Sequence, residues 1–362
     1  MTHAKKAKVN HTVDLSSYTI SSLPQEIKAK ILSNLSTDMA VGASVLSSAW
    51  RNLWTITPDI FLCDSTFHSV CPTSDSSEAF YISGRSKFVT LVDLALSPHK
   101  GSLDTFTIHG AQSYHDVFAR WMYMLSTKGP GAITIKLTSG PQYKIPSSLF
   151  SISHLYFLYL KNCSISLPKK FEGFKLLRVL KLKVFSSTDS DISNLISSCP
   201  LLDAVRLRYF EGINCLSIQS RTLQILEVQG NFEDIRVDAP NLLHMYLTLD
   251  NAEGHQSVPV QGDRKSYLKQ TFGSLTRITT LSVSGSFLTS YPRPEAFTRK
   301  GTWDQDETEI RAPKLDNLVT ITLNDFRGLD CEVAFLGLLL SWGPALEELK
   351  ICIHEGSASC EW

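Results

Sequence analysis

Apolar residues recur in one spacing over most of the chain, from about residue 103 to residue 351. Each copy follows the pattern L-x-x-L-x-L, in which one variable position separates the last two apolar residues. Alternation with a period of two is typical of a β-strand that buries one face. The ten copies begin at Leu103, Ala132, Leu155, Leu177, Leu202, Leu223, Leu242, Ile278, Leu318 and Leu346.

The spacing between copies predicts how the strands are assembled. Between Leu155 and Leu242 the copies follow one another at intervals of 22, 25, 21 and 19 residues, a period typical of leucine-rich repeats, which stack because one repeat cannot cover its own apolar face. We therefore predict an α/β fold over residues 101–362, a solenoid with a parallel β-sheet on its concave face and helices and loops on its convex face. Two longer intervals contain polar stretches at 251–265 and 290–311, which are either loops that shape a binding surface or insertions without a role.

The beginning of the chain has a helical period instead. Apolar residues recur at every fourth position in Leu23, Ile27, Ile31 and Leu35. A break at residues 36–38 precedes a second short helical piece and then the stretch SVLSSAWRNLW (44–54), which carries two adjacent apolar rows. Three helices are thus predicted over residues 17–62, after a disordered basic tail at 1–16 and before a connector with one helix at 63–100. Three short helices bury too little apolar surface to be stable alone, so we expect another surface to cover one row.

The charge balance bears on the class of partner. Thirty-five basic residues balance thirty-five acidic ones, whereas binding to nucleic acid or to a membrane surface requires a strong positive footprint. The longest apolar run, VAFLGLLL at 333–340, is shorter than the roughly 20 residues of a membrane span. We therefore predict neither a nucleic-acid nor a membrane partner.

Cysteine usage and the search for catalytic motifs narrow the function further. The eight cysteines form no C-x-x-C pair, and the polar start MTHAKKAKVNHT lacks the apolar segment of a secretory signal, which predicts reduced thiols in the nucleus, the cytoplasm or both. Cys163 ends the strand of the repeat LYFLYLKNCSI and is predicted to be structural. The motifs G-x-x-x-x-G-K-[ST], G-x-G-x-x-G, H-E-x-x-H and G-x-S-x-G are absent, so we predict no catalytic residue, metal or cofactor.

The stretch ISSLPQEIKAKILSNLSTDMAVGASVLSSAWRNLW (20–54) resembles the F-box of plant F-box proteins with leucine-rich repeats. The phrases SSCPLL at 197 and APKLDNL at 312 resemble repeats of the same RNI-like family. The resemblance implies a non-catalytic subunit of a Skp–cullin–F-box ubiquitin ligase, in which the F-box docks on the Skp adaptor and the repeats hold a target protein for ubiquitination. The conjugating chemistry would then come from a separate enzyme.

The resemblance also implies which residues meet the adaptor. The candidates for adaptor contact are Leu23, Pro24, Ile27, Val45, Leu46 and Trp50. We expect Ile31, Leu35 and Leu53 to be internal, and Trp54 to face the linker. Three sites depart from the family pattern, because Ser36, Asp38–Met39 and Ser48–Ala49 stand where the family has Pro, Lys-Asp and Lys-Arg. The alternative is therefore a leucine-rich-repeat binding scaffold whose F-box no longer engages the adaptor.

Cations recur on the predicted concave face. The residues on either side of the last leucine of each motif point away from the core, and on four successive strands these positions carry Lys or Arg. We predict that the target is bound by Lys136, Lys161, Lys181, Lys183, Arg206 and Arg208, flanked by Tyr159 and Tyr246. Like charges on adjacent strands are mildly destabilising, so the unknown target is expected to be acidic or phosphorylated. The alternative is that these long side chains extend into water, where repulsion is screened.

Overall fold

The computed structural model describes residues 20–35, 37–46, 48, 50, 53–67, 77–249, 268–286 and 314–353. The predicted basic tail at 1–16 and the predicted insertions at 251–265 and 290–311 lie outside these residues. Within the described residues, one parallel sheet extends from residue 59 to residue 353.

The strands follow one another along the chain and also across the sheet. They are β1 (Asp59–Cys63), β2 (Thr105–Gly110), β3 (Ala132–Leu137), β4 (Tyr143–Lys144), β5 (Phe157–Ser164), β6 (Val179–Ser186), β7 (Ala204–Glu211), β8 (Cys215–Gln219), β9 (Ile225–Gln229), β10 (Asp234–Asp238), β11 (His244–Thr248), β12 (Thr280–Ser284), β13 (Thr320–Phe326) and β14 (Glu348–Ile353). The main sheet has the order β1-β2-β3-β5-β6-β7-β9-β11-β12-β13-β14, with β4 beside β5, and β8 pairs with β10 in a second sheet. All of these pairs are parallel.

Parallel neighbours need crossover connections, and several of these contain helices. The helices are α1 (Gln25–Leu32), α2 (Thr37–Leu46), α3 (Ser77–Leu96), α4 (His115–Lys128), α5 (Asp189–Ser197), α6 (Leu268–Ser274) and α7 (Asp330–Trp342), with single 3-10 turns at Ile20–Ser22, Leu53–Ile56, Asp64–Phe67 and Leu149–Ser151. Local chemistry fixes several ends. The Thr188 hydroxyl accepts the Asp191 N–H at the start of α5, and α4 ends at Gly129 in the left-handed conformation.

One continuous core lies between the sheet and the crossover connections. In β5 and β6 the leucines of the motif are at most 2% exposed, and Leu158 and Leu160 pair in register with Leu180 and Leu182. The buried cluster extends from Ile60 in β1 to residues of α7. The predicted α/β solenoid of leucine-rich repeats is confirmed. We call the opposite side of the sheet, predicted to be concave, the open face.

The sheet begins earlier than the sequence indicated. Strand β1 pairs with β2, placing Ile60 beside Phe106 and Leu62 beside Ile108, and both residues of β1 join the core. The sequence analysis divided this segment between the F-box and the connector because Thr57 occupies the position of the motif's first leucine. A first rung of the sheet therefore lies within the residues that the sequence placed before the solenoid.

The second predicted repeat was aligned two residues too late. The structure pairs Phe106 with Ile133 and Ile108 with Ile135, whereas the motif had been placed on Ile135 and Leu137. A shift of two residues leaves every side chain on the same face of a strand. Lys136 therefore stays on the open face, but it occupies the position after the motif instead of the one within it.

The helix predicted over 44–54 was wrong. Helix α2 ends at Leu46, while Ser48 and Trp50 lie in turns. The chain then forms a 3-10 turn at Leu53–Ile56, where the Leu53 N–H donates to the Trp50 carbonyl at 3.3 Å. The two apolar rows of this stretch are therefore not held on one straight helix.

A left-handed residue interrupts three neighbouring strands at equivalent positions. These residues are Asn162, Val184 and Tyr209, with φ values of 61°, 52° and 56°. After each of them the alternation of faces resets, so that the next side chain points into the core instead of outward. The side chains that follow are Cys163, Phe185 and Phe210, each at most 5% exposed. Each strand therefore ends its outward-facing row immediately before the left-handed residue.

Candidate functional site

Apolar side chains on the N-terminal helices stay open to solvent. Ile27 is 49% exposed, Ile31 and Leu35 are each 39% exposed, and Met39 is 61% exposed. The first three recur every four residues along and just beyond α1, so they share one side of it. The expectation that Ile31 and Leu35 are internal was wrong, because α1 has too few partners to bury a second side.

The core of these helices is small. It consists of Leu32, Ala40 and Leu53, with Trp50 and Trp54 among the partly buried residues that pack against it. Leu53 is 5% exposed, as expected of an internal residue. A cluster of this size buries far less surface than the core of the sheet, and stability scales with buried apolar area.

The predicted adaptor residues differ in how exposed their side chains are. Pro24 and Ile27 are exposed, Leu23 is partly exposed, and Trp50 is half-buried against the small core. The side chains of Val45 and Leu46 lie outside the described residues. The structure thus brings Pro24 and Ile27 together on the accessible side of α1, with Leu23 just before them.

The helical segment is joined to the first rung of the sheet. The Phe61 N–H donates to the buried Thr37 hydroxyl at 3.1 Å, linking the start of α2 to β1. Beside this link, a groove of about 560 Å³ separates α2 from α3 and is lined by Val41, Phe67, Leu91 and Leu94, among others. The sequence predicted one helix within residues 63–100, but it did not predict that α2 would face this helix.

Two rows of outward side chains cross the open face. The first row contains Thr134, Tyr159, Lys181, Arg206, Glu227 and Tyr246 on successive strands. The second row contains Lys136, Lys161, Lys183, Arg208, Gln229 and Thr248. All six predicted cations therefore share this face, four of them side by side in the second row.

One carboxylate neutralises part of this charge. The Glu227 side chain lies between both arginines: Oε2 is 3.3 Å from Nε of Arg206, and Oε1 contacts Nε of Arg208. The hydrogen bond to Glu227 is the main cause that raises the pKa of Arg208. Both arginines were predicted to bind the target, but in the structure each of them already contacts this carboxylate.

The four lysines have a different environment. Among the described residues no carboxylate lies within ion-pair distance of their ammonium groups. Three of them lie over aromatic rings instead, with Nζ to ring-centre distances of 5.1 Å for Lys136 over Tyr159, 5.2 Å for Lys181 over Phe157 and 5.4 Å for Lys183 over Tyr209. Such contacts stabilise a cation without neutralising it.

Burial and crowding also affect these lysines. The pKa of Lys181 is lowered, first by partial burial and then by the charges of Arg206 and Lys136. At the β2 end of the second row, His109 pairs in register with Lys136. Burial and then Lys136 lower the pKa of His109, so the row begins with a neutral imidazole at pH 7. His109 is not among the predicted site residues, although it directly follows Ile108, the last apolar residue of the first predicted repeat.

A polar cavity of about 370 Å³ extends from the ion-paired Arg206, Arg208 and Glu227 across the next strands of the open face. Its lining includes His244, Tyr246, Ser282 and Asn324, and the Asn324 amide donates to the Ser282 hydroxyl at 2.9 Å. Tyr246, predicted to flank the cations, is 37% exposed here and is separated from the lysines by the ion-paired arginines. The open face therefore has a lysine-rich part, an ion-paired part at Arg206, Arg208 and Glu227, and a hydroxyl-rich part.

Two buried cysteines are poorly suited to act as nucleophiles. Cys163 and Cys199 are buried, and burial raises the pKa of both thiols, that of Cys199 to about 11, which opposes thiolate formation. No group of His, Cys, Asp and Glu in the described part of the chain is arranged to hold a metal ion. Among these same residues, none of the helices has the length and apolar character needed to cross a membrane.

Comparison with known proteins finds similarity to plant F-box proteins with leucine-rich repeats. A family model for the leucine-rich repeats of the FBD-associated F-box protein At5g56370 matches residues 118–290. The F-box/FBD/LRR-repeat protein At1g13570 of Arabidopsis thaliana is 28% identical over 92% of this chain and 90% of its own length. The putative FBD-associated F-box protein At5g22720 of the same plant is 28% identical over 81% of this chain but only 58% of its own length. The F-box protein At3g03040, also from A. thaliana, is 29% identical over 66% and 52%, respectively.

Proposed function

The chain belongs to the plant F-box proteins with leucine-rich repeats, and from this premise we propose that it is the substrate-recognition subunit of a Skp–cullin–F-box ubiquitin ligase. Its N-terminal helices dock on the Skp adaptor, and its repeats hold a target protein for ubiquitination. The chain itself is a non-catalytic receptor, and a separate conjugating enzyme supplies the thioester chemistry. This role places the protein in the nucleus, the cytoplasm or both.

The observation that carries the proposal is the exposed apolar side of α1. Ile27, Ile31 and Leu35 are 39–49% exposed beside a small core that, among the described residues, is formed by Leu32, Ala40 and Leu53. An exposed apolar patch next to a small core is typical of a surface that a partner covers, and burying it stabilises the complex by about 25 cal/mol for each Å² removed from water.

Substitutions of exposed residues give the cleanest test. The double variant Ile27→Asp/Ile31→Asp places two charges in the proposed interface without disturbing Leu32 or the sheet core. In a pull-down with purified Skp adaptor, we expect the unmodified chain to be retained and this variant to be lost. Ile82→Asp is the matched control, because Ile82 is 60% exposed on α3, away from α1, and adaptor binding should not change.

Point variants are preferable to removal of residues 17–62. Such a deletion would cut through β1, whose Ile60 is buried in the core of the first rung, so loss of binding would be ambiguous. If the unmodified chain fails to bind the adaptor, the proposal is wrong. A repeat scaffold with an F-box that no longer docks would then be the better account, in keeping with the replaced charges at Asp38–Met39 and Ser48–Ala49.

A further inference from the structure

We propose that the second row of the open face binds a phosphorylated segment of the target protein. The phosphate lies over Lys161 and Lys183, between the outer cations Lys136 and Arg208. This proposal rests on the role of the repeats in target capture and names the chemical group that they recognise.

The pairing of the cations divides them into two classes. The arginines share one carboxylate of the chain itself, with Glu227 contacting Arg206 and Arg208. Within the described part of the chain, Lys161 and Lys183 have no carboxylate partner, although both are partly buried. Partial burial removes some of the water around an ammonium group, and a bound anion compensates for these lost contacts. The lysines are thus the cations left open to an external anion.

The spacing of the rungs favours a phosphate over side-chain carboxylates. Adjacent strands are about 4.8 Å apart, whereas carboxylates on the same side of an extended peptide are about 7 Å apart. One phosphate carries up to two negative charges and three acceptor oxygens, so it can contact Lys161 and Lys183 together. Lysine binds phosphate as a point charge, while the planar guanidinium binds carboxylate and phosphate alike. The arginines of this face already hold a carboxylate, that of Glu227.

The extent of the row favours a protein segment over a nucleic acid. Its four cations span about 14 Å at the spacing of adjacent strands. The row is bounded by His109, with its lowered pKa, and by Gln229. Backbone tracking along a nucleic acid requires a longer positive surface, and the chain has no net charge. A single phosphorylated side chain followed by polar residues fits the cations and then the polar cavity, which Tyr246 and Ser282 line together with the ion-paired Arg206, Arg208 and Glu227.

Glu227 weakens the proposed phosphate site, and its substitution tests the proposal. This carboxylate competes for Arg208, which stands next to Lys183 in the second row. Glu227→Gln keeps the shape of the side chain but removes its charge. We therefore expect this variant to bind a phosphorylated peptide more tightly, by roughly threefold to tenfold, because an additional charge-assisted hydrogen bond becomes available.

The experiment uses the purified full chain and a peptide library with one central phosphoserine and randomised flanking positions. Twin libraries carry serine or aspartate at the central position. We expect retention of the phosphoserine library only, and strong weakening by added salt. Lys161→Glu/Lys183→Glu should reduce binding by roughly tenfold or more. Lys169→Glu/Lys170→Glu, which reverses two exposed lysines of a loop, should leave binding unchanged.

Folding is controlled separately. Thermal unfolding followed by circular dichroism should be the same for the reversal variant and its control. Lys161→Ala/Lys183→Ala should also lose binding without introducing new charges. Equal retention of all three libraries, equal binding of the aspartate twin, or unchanged binding by both lysine variants would overturn the proposal. Tighter binding of a single-stranded oligouridylate at the same lysines would assign the site to nucleic acid instead.

These outcomes are independent of adaptor docking. A chain that binds the adaptor but no phosphopeptide remains a substrate receptor with another target chemistry. A chain that binds the phosphopeptide but no adaptor keeps the binding site and loses the proposed ligase role.

Discussion

The sheet and the N-terminal helices are built from similar side chains but differ in how far they bury them. The core of the sheet is continuous from Ile60 to α7, and each rung is covered by the next. The core of the helices contains Leu32, Ala40 and Leu53, and Ile27 remains half exposed beside it. Stacking explains the difference, because every strand inside a repeat array has neighbours on both sides. Among the described residues, α2 contacts the sheet core through Val41, but the Ile27 side of α1 stays open to solvent.

This contrast suggests a division of work. The sheet can hold its open face in place without a ligand, so its cations are presented on a fixed frame. The helices expose apolar surface, and in the proposed function a partner that covers this surface would stabilise them. The two regions should therefore respond very differently to the same kind of substitution.

The largest expected effect is in the sheet. Leu207 in β7 is fully buried, and Leu207→Ala should lower the free energy of unfolding by about 2–5 kcal/mol, through lost apolar contact and the cavity left behind. Urea unfolding followed by tryptophan fluorescence measures this. A change below about 1 kcal/mol would mean that the rungs do not form one tightly packed core.

A smaller effect is expected where β1 ends. The buried Asp64 carboxylate accepts the Ala111 N–H at 2.7 Å, the Gln112 N–H at 3.2 Å and the Tyr114 hydroxyl at 2.9 Å. Asp64→Asn should cost about 1.5–3 kcal/mol, because charge-assisted hydrogen bonds are lost in a buried position. Asp203→Asn is the control, since this carboxylate forms a surface ion pair with Arg178. If Asp64→Asn lowers protection from hydrogen exchange only in α1 and α2 and not in the sheet, then β1 unfolds together with the helices and not with the sheet.

Alkaline pH should separate the two regions. Burial and then Asp64 raise the pKa of Tyr114 above its usual value of 10. The folded chain therefore keeps a proton that the unfolded chain releases, and stability present below pH 10 is lost as the pH rises above it. Tyr114→Phe should reduce this slope in urea unfolding between pH 9 and 11, while Tyr123→Phe, at a 65% exposed position, should not. The segment 20–62 contains no tyrosine, so its hydrogen exchange, corrected for intrinsic rates, should lack this transition.

The smallest effect on stability is expected on α1. Ile27→Ser/Ile31→Ser should change the free energy of unfolding by less than about 1 kcal/mol, because both side chains are largely exposed in the free chain. Adaptor binding should fall sharply for the same variant. Destabilisation comparable to that of Leu207→Ala would show that these side chains are internal in solution, and the contrast between the two regions would disappear.

The sequence predicts a strand correctly where the alternation of apolar residues and the repeat period agree. The triplet of Leu155, Leu158 and Leu160 predicts its strand and its buried face, because alternation and repeat period agree. The sequence was insufficient where the signal is degenerate. Ile133, Ile135 and Leu137 are all apolar, so a shift of two residues fits equally well and only pairing with β2 decides the register.

The composition of the open face was predictable, but its electrostatics were not. The outward positions follow from alternation, which is why Lys161 and Lys183 were found. Their partners depend on the distance across strands that are 19 or more residues apart in sequence, as for Arg208 and Glu227. Spacing along one chain contains no information about such an ion pair. The exposure of Ile31 was missed for a related reason, since its periodicity does not reveal how many neighbours the helix has.

The left-handed residues at the ends of β5, β6 and β7 have a consequence for evolution. Val184 is β-branched, and its left-handed backbone costs about 1–3 kcal/mol. In return, the side chain after it points into the core while Lys183, just before it, points outward. The outward-facing side chain and the core side chain are therefore separate positions, encoded by different codons a few residues apart. Mutation can therefore change the outward side chains of each repeat, and with them the chemistry of the open face, while the inward side chains keep the core of the sheet intact.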